Sequence, residues 1–195
     1  ALQVLAPSGP FVDISLGWYH SCGLRPSGDV ECWNDGTESR DVGQFDIPEG
    51  ISFRQIAAGA EHVCGLDDEG FVHCWGAGES DFGISPDFGQ SIEPVGTFVK
   101  IVSGDYHSCA QDEDGFVMCW GNSEDGRLEA PEVAFSDFDI GGRHGCGFDL
   151  LGDLMCWGSN TSDQSTLDFD GDGFDRLQDC DDRNPELENL DLDGD

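Results

Sequence analysis

Histidine and cysteine residues recur together along this 195-residue chain, two positions apart, and they are the side chains best suited to chemistry. Both are ordinary zinc ligands, and one segment brings together His62, Cys64, His73 and Cys74. His73 has no counterpart elsewhere in the pattern, and the cysteines come in pairs that can satisfy each other. The pattern therefore favours structural histidines, each tying a strand to neighbouring backbone, over a zinc site.

Aspartate residues alternate near the C-terminus with the spacing of a calcium-binding loop. Carboxylates stand at loop positions 1, 3, 5 and 12, glycine stands at position 6, and a backbone carbonyl would supply position 7. The predicted calcium ligands are Asp168, Asp170, Asp172, Phe174 and Asp179. Because Asp is shorter than Glu at position 12, we expect weak binding. A solvated acidic linker is the alternative interpretation.

Catalytic residues are not indicated. Ser, His and Asp occur together, as in His20-Ser21 and His107-Ser108, but they recur with the pattern, whereas a catalytic group is singular and placed against its partners. The sequence also lacks a nucleophile elbow, a phosphate-binding loop and an HExxH motif. It predicts a protein that is not an enzyme.

The composition of the chain argues against nucleic-acid binding and against a membrane span. There are 41 Asp and Glu residues against 8 Lys and Arg, which gives a formal charge of -33. Such a surface repels phosphate backbones, so we expect no nucleic-acid binding. No run of about 18 apolar residues exists that could cross a membrane. The acidity is compatible with calcium loading and with saline surroundings alike.

One block of sequence occurs four times and predicts the elements that position these residues. Its copies cover residues 11–34, 53–76, 98–121 and 135–158. Each copy has glycine at position 7, histidine at position 10 and cysteine at position 12, and it closes with Cys-Trp. Apolar residues alternate with period two on both sides of a short turn ending in glycine. This arrangement predicts a β-hairpin in every block.

The hairpin register places the two cysteines of a block opposite each other. Counting outward from the turn at residues 68–70 pairs Cys64 with Cys74 at a non-hydrogen-bonded position, where Cα atoms approach to about 4.5 Å. That distance lies at the short end of the disulfide range. The predicted bridges are Cys22–Cys32, Cys64–Cys74, Cys109–Cys119 and Cys146–Cys156. Such regular disulfides imply an extracellular, cell-surface or periplasmic location.

The block Phe-x2-Ile-x2-Gly-x2-His-x-Cys-x-Leu-x3-Gly-x-Val-x-Cys-Trp-Gly resembles the repeat of RCC1-like β-propellers, in a bacterial-looking form with paired cysteines. The resemblance covers residues 11 to about 158 and implies an all-β fold with four-stranded blades around an axis. Members typically have seven blades, so either four blades form a smaller or open assembly, or further blades lie outside these residues. We interpret the closing tryptophans as packing between blades: Trp33, Trp75, Trp120 and Trp157.

The predicted domain organisation has three parts: a propeller over residues 1–158, a polar linker over 159–167 and an Asp-rich calcium-binding segment over 168–195, which stops within a further copy of its motif. This last segment resembles thrombospondin type 3 repeats and the aspartate-rich repeats of bacterial surface proteins with an Asp-Cys-Asp-Asp motif. That resemblance implies a later disulfide partner for Cys180. A free reactive thiol is the alternative.

These observations predict a secreted or cell-surface structural module that interacts with proteins or with other subunits of an extracellular assembly. The variable connections 35–52, 77–97 and 122–134 would carry its specificity. The alternative is a secreted enzyme inhibitor resembling the RCC1-like β-lactamase inhibitors. Phe45, Phe82 and Phe88 are the candidate anchors for that role.

Overall fold

Four three-stranded antiparallel sheets and one two-stranded ribbon make up the described part of the fold, in which one 3-10 turn is the only helical element. The computed structural model describes residues 7–34, 41–79 and 81–159, and it describes residues 81–84 as backbone. Each three-stranded sheet comes from one sequence block, with its strands in chain order. We call these sheets blades 1 to 4.

The strands follow one another as the sequence blocks do. Blade 1 contains β1 (Asp13–Leu16), β2 (Ser21–Leu24) and β3 (Val30–Trp33), and blade 2 contains β4 (Phe53–Ala58), β5 (His62–Asp67) and β6 (Val72–Gly76). The ribbon of β7 (Asp81–Ile84) and β8 (Asp87–Phe88) follows. Blade 3 contains β9 (Lys100–Ser103), β10 (His107–Gln111) and β11 (Val117–Gly121), and a 3-10 turn covers Glu124–Gly126. Blade 4 contains β12 (Phe135–Ile140), β13 (His144–Asp149) and β14 (Leu154–Gly158).

The blades differ in one respect from those that the family resemblance implied. Within the described residues each blade has three strands, not four. The connection after blade 2 pairs with itself as the β7–β8 ribbon, and the connection after blade 3 forms the 3-10 turn, so neither adds a strand to a blade. The prediction of four-stranded blades was wrong for this part of the chain.

The turn between the second and third strands sets the hairpin register. The Asp67 N–H donates to the Phe71 carbonyl at 3.0 Å, and the Gly70 N–H donates to the Asp67 carbonyl at 3.2 Å. Gly70 has a φ of 92°, in the left-handed region that favours glycine. Because hydrogen-bonded and non-hydrogen-bonded pairs alternate outward from Asp67 and Phe71, Cys64 and Cys74 occupy a non-hydrogen-bonded pair.

Each of the four hairpins carries a disulfide across its two strands. The bridges join Cys22 to Cys32, Cys64 to Cys74, Cys109 to Cys119 and Cys146 to Cys156, as the register predicts. Their Cα atoms lie 4.0 to 4.1 Å apart, slightly closer than expected. Cys22, Cys64 and Cys109 are fully buried, so these three bridges are also part of the core.

The core lies between successive blades. In each of three clusters, residues from the second strand of one blade pack against the first strand of the next. The clusters contain Cys22 and Leu24 with Phe53 and Ile56, Cys64 and Leu66 with Phe98 and Ile101, and Cys109 with Phe135 and Phe138. Trp75 joins the first cluster, Trp120 packs against the second, and Trp157 joins the third. The prediction that the closing tryptophans pack between blades is confirmed for these three. Trp33 is in none of the clusters, and its ring lies 5.9 Å from that of Phe11 in its own block.

Side chains on the first strand of a blade also bind the first strand of the next. From blade 1 to blade 2, Asp13 accepts the Ile56 N–H at 3.4 Å and Ser15 accepts the Ala58 N–H at 2.8 Å. From blade 2 to blade 3, the Gln55 amide binds the N–H and the carbonyl of Ile101 at 3.0 and 2.9 Å. From blade 3 to blade 4, the Lys100 ammonium contacts the Asp137 carboxylate at 2.6 Å and the Phe138 carbonyl. These contacts align the first strands side by side.

Candidate interaction face

Glycine at block position 7 is required by a close approach between blades. A Cβ on Gly59 would lie 2.1 Å from the His62 ring and 2.5 Å from the Gly104 carbonyl oxygen of the next blade. Gly17 and Gly104 have the same two kinds of neighbour. The recurring glycine and histidine therefore build one compact turn between the first and second strands of each blade.

The histidines of blades 1 to 3 are buried behind these turns. The Nε2 atom of His62 lies 2.8 Å from the Ser108 hydroxyl oxygen of the next blade, while neither ring nitrogen of His107 has a hydrogen-bond partner within the described residues. The repeat explains the difference, because the position of Ser108 is occupied in blade 4 by Gly145, which has no hydroxyl group. The histidine thus fills the interface, but a hydrogen bond across blades forms only where the next blade supplies a partner.

Burial keeps these rings neutral. Burial, together with repulsion from His107 and His20, lowers the pKa of His62 to about 3. Burial also lowers the pKa of His107 to about 4, with a contribution from the charge of Arg127. The pKa of His20 is lowered by burial to about 4, although the backbone of His62 acts in the opposite direction.

The residues considered for zinc are engaged elsewhere. Cys64 and Cys74 form a disulfide, and His73 Nε2 lies 2.8 Å from the Asp67 carboxylate. Across the described ranges, no three His, Cys, Asp or Glu side chains come close enough together to hold a metal ion.

Replacing Ser108 by Ala is expected to lower the free energy of unfolding by about 1 to 2 kcal/mol, because the buried His62 Nε2 loses its partner. Ser21 occupies the same block position in blade 1, and no histidine contacts its hydroxyl within the described residues. The matched control Ser21→Ala should change the stability by less than about 0.5 kcal/mol. Urea denaturation measures both values, and equal losses would contradict the assignment.

Block positions 8 and 9 differ from blade to blade, although they lie between the constant glycine and histidine. They hold Trp18 and Tyr19, Ala60 and Glu61, Asp105 and Tyr106, and Gly142 and Arg143. At position 8 a series of backbone hydrogen bonds joins the blades: Trp18 N–H to Ala60 carbonyl at 3.2 Å, Ala60 N–H to Asp105 carbonyl at 2.9 Å, and Asp105 N–H to Gly142 carbonyl at 3.2 Å. The variable side chains are therefore mounted on a regular framework at one end of the blades.

Four aromatic side chains gather on this framework. The Trp18 indole N–H donates to the Asp105 carboxylate at 3.2 Å, and its ring lies 5.7 Å from that of Tyr106, edge to face. Tyr19 lies 6.3 Å from Trp18, and Phe88 of the ribbon lies 5.4 Å from Tyr106. We call Trp18, Tyr19, Phe88 and Tyr106 the aromatic face. Trp18 is 54% exposed and Tyr19 is 43% exposed, so the face is open to solvent.

Charged side chains border the aromatic face. Arg127 is buried and lies 3.0 Å from the Asp125 carboxylate, which Arg143 also contacts at 2.6 Å. Together with Trp18 and Tyr106, the two arginines line a cavity of about 300 Å³. Burial raises the pKa of Tyr106; the carboxylates of Glu61 and Asp105 also raise it, while a hydrogen bond with Ser85 lowers it.

The sequence identified only part of this face. Phe88 belongs to it, but Phe45 lies with its ring 6.3 Å from that of His20, and the side chain of Phe82 is outside the described part. Trp18, Tyr19 and Tyr106 were missed. The signal that could have revealed them is the variability of two adjacent positions inside an otherwise constant block.

The predicted calcium loop lies outside the described residues. Its candidate ligands are Asp168, Asp170, Asp172, Phe174 and Asp179. Cys180 and residues 160–167 of the predicted linker are outside them too. In the described segments there is no helix able to span a membrane.

Comparison with known proteins identifies the repeats. Residues 11–33, 53–83 and 98–127 match the "Regulator of chromosome condensation (RCC1) repeat" family model. A search of curated proteins finds no match.

Solved structures with a similar fold include two receptor ectodomains from plants. The ectodomain of the receptor kinase CR4 from Physcomitrella patens is 30% identical, with a TM-score of 0.61 over 77% of this chain and 39% of that one. The ACR4 ectodomain from Arabidopsis thaliana is 28% identical, with a TM-score of 0.59 over 76% and 49%. Prp20p from Saccharomyces cerevisiae is 19% identical, with a TM-score of 0.63 over 77% and 44%. The chain thus spans less than half the length of each of these proteins.

Proposed function

We propose that this chain of RCC1-like repeats is an extracellular or cell-surface module that binds another protein through its aromatic face and catalyses no reaction. The observation that carries the proposal is the gathering of Trp18, Tyr19, Phe88 and Tyr106 at one end of the blades, where three blade-to-blade backbone hydrogen bonds fix the framework. The four disulfides support an oxidising location. The similarity to two receptor ectodomains points in the same direction.

Tryptophan and tyrosine are the side chains that most often anchor protein interfaces. Here the indole of Trp18 is already held by Asp105 and by the Tyr106 ring. Binding a partner would therefore cost little additional side-chain entropy. The exposed Arg143, paired with Asp125, leaves a polar rim beside the rings. This combination of ordered rings and a charged rim suits a protein partner.

The charge of the chain indicates the kind of partner. With a formal charge of -33, it attracts positively charged surfaces and repels acidic ones. We therefore propose a partner that presents Lys or Arg around an apolar centre. Cationic side chains would meet the Trp18 and Tyr106 rings and the Asp105 carboxylate.

Enzyme inhibition is the weaker proposal. It rested on Phe45, Phe82 and Phe88 as anchors, and Phe45 packs against His20 while Phe88 belongs to the aromatic face. Two of the proposed anchors therefore serve different parts of the molecule.

We also propose that the Asp-rich segment after the blades binds calcium. The alternation of carboxylates at residues 168, 170 and 172, with glycine at 173 and a carboxylate at 179, suits an oxygen-ligated cation. Binding there would offset repulsion among the aspartates and stiffen the segment as a spacer.

A photocross-linking residue at position 19, in the full chain displayed by the cells that make it, is expected to capture a partner protein. The same residue at position 71 should not, because Phe71 is a similarly exposed aromatic on the hairpin turn of blade 2, away from the aromatic face. Trp18→Ala should weaken binding of the captured partner about 30-fold or more, as expected for a hot-spot anchor. Phe71→Ala should leave the affinity unchanged. Equal capture from both positions would contradict the proposal.

A further inference from the structure

The cavity beside the aromatic face is lined by segments that are far apart in the sequence. Trp18 lies in the turn between the first two strands of blade 1, Phe88 lies in the ribbon, and Tyr106 lies in the corresponding turn of blade 3. The rest of the lining comes mainly from the connection after blade 3 and from Arg143 of blade 4. The cavity volume of about 300 Å³ is at the lower end of the range for small-ligand sites. The cavity therefore suits one small ligand unit and not a folded segment of a partner.

Hydrogen bonds within the chain hold the polar part of the lining in place. Asn122 is buried, its N–H donates to the Tyr106 carbonyl at 2.8 Å, and its side-chain oxygen accepts the Glu124 N–H at 2.7 Å. The Arg127 Nε donates to the Glu124 carbonyl at 2.7 Å, and the Arg127 carbonyl accepts the indole N–H of Trp157 at 3.2 Å. The connection that carries these polar groups is therefore anchored to blades 3 and 4 before a ligand binds.

The charged side chains of the lining balance one another, although the chain as a whole is strongly acidic. The lining contains two carboxylates and two guanidinium groups, which belong to Asp105, Glu124, Arg127 and Arg143. The guanidinium groups oppose a cationic ligand, and the carboxylates oppose an anionic one. Asp125 contacts both guanidinium groups, at 3.0 and 2.6 Å, which further reduces their attraction for an anion. The local charge therefore favours a neutral ligand.

Hydroxyl groups are the neutral groups that match such a mixed lining. Each hydroxyl both donates and accepts hydrogen bonds, so adjacent hydroxyls on one ligand can bind a guanidinium group and a carboxylate together. The aromatic rings add an apolar surface: the Tyr106 ring lies 5.7 Å from that of Trp18 and 5.4 Å from that of Phe88, and Trp18 is exposed. A hexose ring presents C–H groups on its faces and hydroxyl groups around its edge. It can therefore contact the aromatic and the polar residues at the same time.

We propose that this cavity binds a neutral hexose unit of a glycan carried by the protein partner, an inference that rests on the proposed function. The sugar would stack on the Trp18 indole, and its hydroxyl groups would bind the Asp105 carboxylate and the exposed Arg143 guanidinium. The formal charge of -33 disfavours acidic sugars. Tyr19 belongs to the aromatic face but not to the lining, so the face extends beyond the cavity and can also contact the protein that carries the sugar. Basic groups of that protein would lie around the sugar.

Titration of the oxidised 195-residue chain with methyl glycosides tests the sugar site directly. The probes are the methyl glycosides of glucose, galactose and mannose, and the readouts are the NMR signals of the Trp18 indole N–H and of the backbone N–H at position 143. At least one probe should shift both signals with a dissociation constant of about 1 mM, the value expected of a ligand with about 13 non-hydrogen atoms. The methyl glycoside of glucuronic acid should bind about tenfold more weakly or less, because it is an anion. The absence of a shift with all three neutral probes at about 50 mM would overturn the inference.

Three variants separate a sugar from a cationic ligand. Trp18→Ala should weaken binding of the sugar about tenfold or more, because the stacking surface is lost. Arg143→Ala should weaken it about fivefold, because a hydroxyl group loses its donor, whereas loss of this positive charge would strengthen the binding of a cation. Phe71→Ala is the matched control, since Phe71 is exposed on the hairpin turn of blade 2, and it should leave the affinity unchanged. Tighter binding by Arg143→Ala, or equal losses from Trp18→Ala and Phe71→Ala, would overturn the inference. Circular dichroism shows whether every variant is folded.

Removal of glycans from the captured partner separates this inference from the proposed function. After treatment with glycosidases, the protein captured at position 19 should bind the chain about tenfold more weakly or less, because the sugar contact is lost. An unchanged affinity after complete removal of the glycans would overturn the inference and leave the proposed protein contact standing. Binding of a methyl glycoside without capture of any protein at position 19 would instead contradict the proposed function, and with it the assignment of the sugar to a protein.

Discussion

Reduction of the four disulfides is expected to unfold the blades at 37 °C. Each bridge joins cysteines ten residues apart, and closing so short a loop stabilises the folded state by about 2 to 3 kcal/mol in the entropic model. Four bridges together contribute about 10 kcal/mol, which is comparable with the whole stability of a typical domain, about 5 to 15 kcal/mol. Far-UV circular dichroism and urea denaturation, with and without reductant, measure the loss.

Removing single bridges tests whether their place in the core matters. The Cys64–Cys74 bridge lies between blades 2 and 3, and Cys64 is fully buried, whereas Cys146 in blade 4 is only half-buried. The double variant Cys64→Ala with Cys74→Ala should therefore lose more stability than Cys146→Ala with Cys156→Ala, since it also leaves a cavity in the core. A reduced chain that keeps its native spectrum and urea midpoint would show that packing alone holds the blades.

The hairpins and their bridges could be predicted because their geometry is local. A glycine-ended turn fixes which residues face each other, and Cys64 and Cys74 are separated by only ten residues, so no knowledge of the rest of the fold is needed. A structural role for the histidines followed from the same reasoning, because a residue that recurs with the repeat serves what the repeats share, and the rings do lie in the interfaces between blades. The predicted bond from each ring to neighbouring backbone was wrong: the His62 ring contacts the Ser108 hydroxyl, and the rings of His20 and His107 have no hydrogen-bond partner within the described residues.

The aromatic face could not be predicted in this way because its contacts are long-range. Trp18 and Asp105 are 87 residues apart, and they meet only because blades 1 and 3 both present block position 8 at the same end of the assembly. Position within a block indicated which residues share an end, but the distance between two blades depends on how tightly they pack. The prediction of four strands per blade was wrong for a related reason. The connection after blade 2 pairs with itself as the β7–β8 ribbon, and the repeated block contains no residues of this connection from which its pairing could be predicted.

Acid is expected to destabilise the fold between pH 6.5 and about 4 through the three buried histidines. Their folded-state pKa values are about 4, 3 and 4 for His20, His62 and His107, against 6.5 in the unfolded chain. Within this range the unfolded state takes up protons that the folded state does not, so the free energy of unfolding falls as the pH falls. Each histidine contributes about 1.4 kcal/mol per pH unit when its two states differ by a full proton. Urea denaturation at a series of pH values measures the total pH dependence of the free energy of unfolding. Protonation of the carboxylates contributes to it in the opposite direction, because it relieves their mutual repulsion in the folded state.

A comparison of two histidine variants separates the buried rings from the carboxylates. His62→Gln removes the ring with the lowest pKa, and the slope of unfolding free energy against pH should decrease by up to one proton, because glutamine does not titrate. His144 holds the same block position in blade 4, where it is half-buried, so His144→Gln leaves all three buried rings, and their contribution to the slope, in place. Both variants carry the same change of side chain and of formal charge. The contribution of the carboxylates to the slope should therefore be the same in the two variants. Identical slopes for His62→Gln and the native chain would mean that acid acts on this protein through its carboxylates and not through the interfaces between blades.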